Sequence, residues 1–377
     1  MYNHRMKQPK IAIATEFLEQ FGGAQKVLEA IAELYPDAPI YTAKFNKRAL
    51  DTASVIKDRK IIYPKGTWVN MLAKHFFVFA MAPIFENYNF KDFDIVISDG
   101  TTWTKGIITS PDQLHITYIH TPPRFFYGYS KEGTKWDKGL WKIPFSYMLN
   151  ILRMWDFVAA QRPDYLIANS KEVQKRIKKF YSRDSHLIYP PVDMDNKEKK
   201  VETKSKDFYL ALGRLSKYKN FDQVINAFNE TDLNLVIIGT GYEEKFLKSI
   251  ANNNIEFVGK SSEEEKHYLL EHCKGVINAV EDEDFGIVPI EAHVHGKPVL
   301  AHKSGGHKET IVENVNGMFF EELTKDNLLE FDKKIKENIY KEETIKETAK
   351  KYSKDRFKKE IKEFVEKKWD QHIKENA

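Results

Sequence analysis

Short β-branched runs alternate with stretches of helical periodicity along almost the whole chain, and this alternation restricts the fold more than any other feature. In the first half the runs fall at residues 11–15, 40–42, 94–98, 115–119 and 165–168. In the second half they fall at 208–212, 233–239, 255–258, 275–279 and 298–301. Apolar runs of this length, separated by helix-length segments, form parallel strands covered by helices on both faces. A chain of 377 residues exceeds what one such core usually encloses, so two domains are expected. The break between them is the polar, aperiodic stretch at 193–206. The expected architecture is α/β: two Rossmann-like halves at 1–193 and 207–355, a linker at 194–206, and a terminal helix at 356–377 that packs back on the first half. Ligands of such sheets bind at the carboxyl ends of the strands, so two facing halves are expected to enclose a cleft there. From about Lys325 onward, Lys and Glu recur at helical spacing and indicate surface helices.

Charge and cysteine usage narrow the function classes. Lys+Arg 59 against Asp+Glu 55 leaves a net charge of +4, too balanced to indicate a nucleic-acid partner. The single Cys273 rules out an internal disulfide, and no Cys/His spacing suggests zinc. A reducing cytoplasm is the natural compartment. The polar amino terminus and the short run 11–14 give no signal-peptide core. The longest apolar stretch, 76–85, is about half a membrane span and contains Pro83, so no bilayer-spanning segment is expected.

Chemistry concentrates where loops follow strands. In Glu283-Asp-Phe-Gly-Ile-Val-Pro-Ile-Glu291, an acidic loop and a permissive Gly286 lead into a helix whose first turn suits Pro289. Gly296-Lys-Pro298 ends that helix. Unpaired amides at its start can receive a phosphate, while Glu283 and Glu291 accept hydrogen bonds from hydroxyls on either side. In Leu212-Gly-Arg-Leu-Ser-Lys-Tyr-Lys-Asn220, a strand, Gly213 and a basic loop precede a helix, which aims Arg214 and Lys219 at an anion. Gly239-Thr-Gly241 is a tight turn, and Gly259-Lys-Ser-Ser262 is a candidate base pocket. Ser304-Gly-Gly306 brings amides near a sugar or phosphate through Gly305. In the first half, Phe21-Gly-Gly-Ala24 lies between strand and helix. His120, held before a rigid Pro-Pro, is expected to face the cleft with Asp99 and Thr101. Asp193-Met-Asp195 matches a cation-binding pattern but falls in the linker and is read as chance.

Together these residues resemble glycosyltransferase family 4, with its two-domain GT-B fold, and most closely the branch of bacterial O-antigen mannosyltransferases. The resemblance runs from Ile11-Ala-Ile-Ala-Thr-Glu through Asn316-Gly317. It is most specific at 283–291, Gly296-Lys-Pro-Val299, Gly213-Arg-Leu215 with Lys219-Asn220, and His120-Thr-Pro-Pro-Arg124. It implies a retaining, metal-independent hexosyltransferase without a cofactor. The donor would be a nucleotide-sugar, GDP-mannose first and otherwise a UDP-hexose. The acceptor would be a glycan or lipid-linked oligosaccharide of a surface polysaccharide such as lipopolysaccharide. By this resemblance Glu291 holds the ribose and Glu283 the transferred sugar, while Arg214 and Lys219 neutralise the diphosphate. The amides of Phe285, Gly286, Ile287 and Val288 assist them, Gly23 approaches the diphosphate, and His120 contacts the sugar near the acceptor, with Arg124 on the acceptor side. His293, His295 and Gln25 depart from the usual pattern.

Two other readings remain at this point: a non-catalytic nucleotide-sugar-binding partner of a synthase, and a GT-B epimerase. A phosphorylase would need a pyridoxal-phosphate lysine in a much longer chain. Aromatic and basic residues at 68–81, 124–129 and 171–181 suit an anionic membrane surface; each segment alone reads more readily as a core or solvated helix, and the family resemblance tips the reading to the cytoplasmic face of a membrane.

Overall fold

The computed structural model describes residues 8–18, 23–46, 55–64, 77–129, 142–194, 198–204 and 206–376. Phe21, Gly22, Asp195 and the aromatic stretch from Trp68 to Phe76 lie outside that set. Two compact units result. One comprises the chain up to Pro191 together with Asp355 onward, and the other spans Val192–Lys354.

In the first unit β1 (Ile11–Leu18), β2 (Ile40–Phe45), β3 (Ile61–Ile62), β4 (Ile95–Gly100), β5 (Leu114–Ile119), β6 (Tyr165–Ala168) and β7 (His186–Leu187) form one sheet. Its order is β3-β2-β1-β4-β5-β6-β7, and every pairing is parallel. Successive residues of β1 serve opposite faces. Ile13 packs with Val27, Leu28 and Ile31, whereas Ala12 and Ala14 pack with Met81, Phe85 and Trp103. The helix Lys354–Asn376 sends Phe357, Ile361, Phe364 and Val365 into the first of these layers, at the spacing of one helical stripe.

In the second unit β8 (Tyr209–Leu212), β9 (Leu235–Ile238), β10 (Ile255–Gly259), β11 (Val276–Asn278), β12 (Val299–His302) and β13 (Gly317–Phe320) form a parallel sheet of order β10-β9-β8-β11-β12-β13. Both sheets therefore reverse direction beside their first strand, between β1 and β4 and between β8 and β11. At such a reversal the loops diverge and leave a crevice at the carboxyl edge. The loops after β8 and β11 are those carrying Arg214, Lys219 and Glu283.

One buried ion pair braces the first unit. Lys105 Nζ lies 2.6 Å from Asp156 Oδ1, with both side chains almost fully enclosed. Tyr127 donates its hydroxyl to Asp156 Oδ2 at 2.9 Å, and Lys105 sits over the Tyr181 ring. Two charges held this way stabilise only as a pair, because removing one strands the other in a low dielectric. Lys105→Met is expected to cost about 3–5 kcal/mol of first-unit stability. Lys105→Met/Asp156→Leu should cost clearly less, as read by thermal unfolding; equal losses would show that the pair does not brace the unit.

Candidate functional site

The crevice of the second unit is assembled by contacts that follow from residue type. Gly213 leaves β8 at φ 146, and its carbonyl occupies the space a side chain at Gly239 would need. The loop then tightens into a 3-10 turn at Lys217–Lys219 and ends on Asn220 at φ 52, a left-handed conformation that asparagine tolerates well. Asn220 Nδ2 donates to the Ala279 carbonyl at 2.9 Å, stapling this loop to the end of β11. The staple holds Lys219 opposite the acidic loop, where Nζ donates to Glu283 Oε2 at 3.1 Å. Burial works against the Lys219 charge, but Glu283 chiefly, with Tyr218 and Asp284, holds its ammonium above the ordinary lysine value of 10.5.

The acidic loop is itself seated on the turn after β12. Asp282 donates its amide to Ser304 Oγ at 2.7 Å, and Gly306 donates its amide to the Glu283 carbonyl at 2.7 Å. A side chain at Gly305 would strike the Glu283 backbone, and one at Gly306 would strike that of Phe285. Gly286, at φ 87, then starts the helix Ile287–Val294. That helix ends in a Schellman arrangement, with Gly296 at φ 67, Gly296 N–H to the His293 carbonyl at 2.9 Å and Lys297 N–H to the Ala292 carbonyl at 3.0 Å. Phe285 is buried with its ring edge-on to that of Tyr352. Glu291 is buried, and its Oε1 accepts from Lys266 Nζ at 2.8 Å.

The other expected positions are placed as follows. Arg214 is exposed, and among the described residues no hydrogen bond or ion pair engages its guanidinium. Gly259 has φ 80 and open space where a side chain would lie. Gly23 is the first residue of the helix Gly23–Leu34 and not part of the preceding loop. In the first unit His120 Nε2 lies 2.8 Å from Asp99 Oδ1, and the Tyr118 ring meets His120 edge-on. Thr15 donates its hydroxyl to Asp99 Oδ2 at 3.5 Å, while Thr101 offers its carbonyl to Lys105. Arg124 lies over the Tyr129 ring. His293 and His295 are core residues. His293 Nε2 contacts the Asn316 carbonyl at 3.0 Å and burial drops its pKa to about 3, and His295 joins His267 and Glu271.

Residues not singled out from sequence also belong here. Glu16, two residues before the end of β1, accepts from the amides of Thr102 and Trp103. Burial pushes its carboxyl up against the pull of those amides and of Lys105. His307 donates from Nδ1 to the His302 carbonyl at 2.9 Å, which leaves Nε2 as a buried acceptor beside Gly286. The chain's single cysteine, Cys273, lies apart from these groups in the core, where burial raises its thiol pKa to about 12. Among the described residues no group of three or more His, Cys, Asp or Glu side chains converges as a metal site.

Comparison with known proteins gives these arrangements a setting. Residues 193–358 match the family model described as Glycosyl transferases group 1. The chain is 25% identical over 276 residues to alpha-1,3/1,6-mannosyltransferase ALG2 of Candida glabrata, covering 59% of this chain and 58% of that protein. It is 30% identical over 203 residues to an uncharacterized glycosyltransferase of Methanocaldococcus jannaschii, covering 52% and 56%. The matches thus span little more than half of these relatives. Among solved structures, Anabaena HepE in complex with UDP superposes with a TM-score of 0.69 at 17% identity, covering 95% of this chain and 100% of that one. Sucrose-phosphate synthase of Thermosynechococcus elongatus gives 0.75 at 12%, covering 96% and 100%. The fold is accordingly GT-B, with two Rossmann-like domains.

The Lys219–Glu283 pair has a measurable signature. Its contribution to stability is complete below 10.5 and is lost as pH climbs through the raised folded value. Glu283→Gln leaves burial largely unopposed, so the Lys219 ammonium should titrate at clearly lower pH by NMR. An unmoved titration would show that Glu283 is not what holds the charge.

Proposed function

We propose that the chain is a retaining hexosyltransferase that takes a hexose from a nucleotide-sugar bound in its second unit. The observation that carries this reading is the Lys219–Glu283 pair beside the start of the helix bearing Glu291, at the reversal point of a parallel sheet. Amides at that helix start, which have no partner within the helix, suit a diphosphate, and Lys219 and Arg214 supply positive charge where the leaving phosphate develops negative charge. Glu283 accepts hydrogen bonds from hydroxyls of the transferred sugar, and Glu291 from the ribose. In the first unit, His120, oriented by Asp99, contacts a sugar hydroxyl near the acceptor, with Thr101 and Arg124 beside it. The acceptor attacks from the face that the leaving group departs, and a phosphate oxygen takes its proton. The two glutamates therefore do not form the acid/base pair of a hydrolase. No metal ion is required, because the cationic side chains and amides supply the stabilisation.

The mannosyltransferase names among the relatives favour GDP-mannose, and the UDP complex of HepE keeps a UDP-hexose as the second donor. The acceptor is a glycan or lipid-linked oligosaccharide, in keeping with surface-polysaccharide synthesis of the O-antigen kind. Acceptor-dependent release of GDP or UDP with chelator present tests the reading. Lys219→Ala should lower kcat by about 100-fold, and Glu291→Ala should raise the donor KM. The product should keep the donor's anomeric configuration. Tight donor binding without turnover would instead indicate a binding partner of a synthase, and donor interconversion without acceptor an epimerase.

A membrane-facing role belongs to the same reading, at the cytoplasmic face. The aromatic residues at 125–127 do not present themselves as the sequence suggested: Phe126 is buried and Tyr127 stacks on Phe180. The helix Lys142–Ala159 offers a better surface. Ile143, Tyr147, Ile151, Met154 and Val158 are exposed along one stripe, and Lys175 and Lys178 are exposed on the helix Lys171–Tyr181. Among the described residues no helix is long and apolar enough to cross a membrane. Flotation with anionic vesicles should carry the protein upward, and Ile151→Glu/Met154→Glu should abolish that. Equal behaviour of the two proteins would remove this surface from the account.

A further inference from the structure

Lys266 occupies the same relation to Glu291 that Lys219 occupies to Glu283. It lies in the helix Glu263–His272, whose start is fixed by a capping box: Ser262 Oγ accepts from the Glu265 amide at 3.2 Å, and the Glu265 carboxylate accepts from the Ser262 amide at 2.9 Å. The first turn so fixed sends Lys266 Nζ to Glu291 Oε1 at 2.8 Å and to Glu263 Oε2 at 2.8 Å. The Lys266 and Glu291 side chains are only 12% and 7% exposed, whereas that of Glu263 is 63% exposed. The next residue ties this helix to the C-cap of the helix that bears Glu291. His267 Nδ1 meets His295 Nε2 at 2.8 Å, and His295 Nδ1 meets Glu271 Oε2 at 2.7 Å. Lys266 is therefore held in place from its own helix and across to the helix that bears Glu291.

An ammonium has three N–H bonds, and among the described residues Glu263 and Glu291 take two of them. A carboxylate alone can only accept from a hydroxyl. A carboxylate and an ammonium side by side can accept the hydroxyl's proton bond and also donate to its oxygen. That complementarity fits a vicinal diol, and an analogue lacking one hydroxyl would leave a buried charged group short of a partner.

We propose that Lys266 is a binding residue that reads the ribose diol together with Glu291 and makes the site select ribonucleotides over deoxyribonucleotides. This rests on the assignment of Glu291 to the donor ribose. Calorimetric titration of the full chain with GDP, UDP and their 2′-deoxy and 3′-deoxy counterparts tests it. Wild type should favour the ribonucleotide by about 10-fold or more over at least one deoxy form. Lys266→Met should bring that ratio close to one while diphosphate-dependent binding persists, and Lys266→Arg should keep most of the ratio. If Lys266→Met fails to fold because Glu291 is left unpaired, Lys266→Met/Glu291→Gln removes the stranded charge and is compared with Glu291→Gln alone: its ratio should be the lower of the two, and equal ratios would overturn the role of Lys266. An unchanged ratio in Lys266→Met, with Glu291→Gln abolishing it, would overturn the role of Lys266 and leave Glu291 standing. A wild-type ratio of one would overturn both assignments, and no nucleotide binding by wild type would overturn the donor reading itself.

Discussion

The second unit's crevice depends on one contact of backbone against backbone. Residues 283–285 lie directly on Gly305 and Gly306, so close that a methyl group at either glycine would collide with them. This contact brings the Glu283 carbonyl to the Gly306 amide and the Asp282 amide to Ser304. It also leaves Gly286 positioned to start a helix whose N-cap, among the described residues, makes no side-chain cap hydrogen bond, so that its first amides have no partner within the helix. From the other side Asn220 ties the loop after β8 to the end of β11. Glu283 and Lys219 meet because two loops are each fixed independently, and neither side chain has to search for the other.

The sheet order explains why this happens at one edge. In a parallel sheet whose connections run to opposite sides of a central strand, the two loops beside that strand part company and leave room. The second unit fills that room with a lysine, a glutamate and helix amides, a set of donors and acceptors matched to phosphate and hydroxyl groups. The first unit has the same topology but a different content. There Glu16 gathers the amides of Thr102 and Trp103, and Asp99 orients His120. That content suits the positioning of hydroxyls better than the binding of a phosphate.

Much of the fold was legible because strands buried on both faces are apolar throughout and stand out against helical periodicity. β3 and β7 were not, since two residues carry no pattern, and β13 opens with glycine at a sheet edge. The chemistry-bearing loops were legible from their glycines and charges. Their pairings were not: Lys219 and Glu283 lie 64 residues apart, and nothing local links them. Lys266 was overlooked because it sits among acidic neighbours in a helix that reads as a solvated face. The capping residues Ser262 and Glu265 were the available signal, because they fix its direction. The aromatic residues at 125–127 were read by composition, which does not separate a ring stacked inside from one presented outside.

A crystal structure of the protein with a bound nucleoside diphosphate hexose, grown with chelator present, tests the central claim most directly. The diphosphate is expected on the amides that open the helix Ile287–Val294 with Lys219 beside it, the sugar hydroxyls on Glu283 and the ribose hydroxyls on Glu291. A nucleotide bound elsewhere, or bound in this crevice with both glutamates out of hydrogen-bond reach, would contradict it.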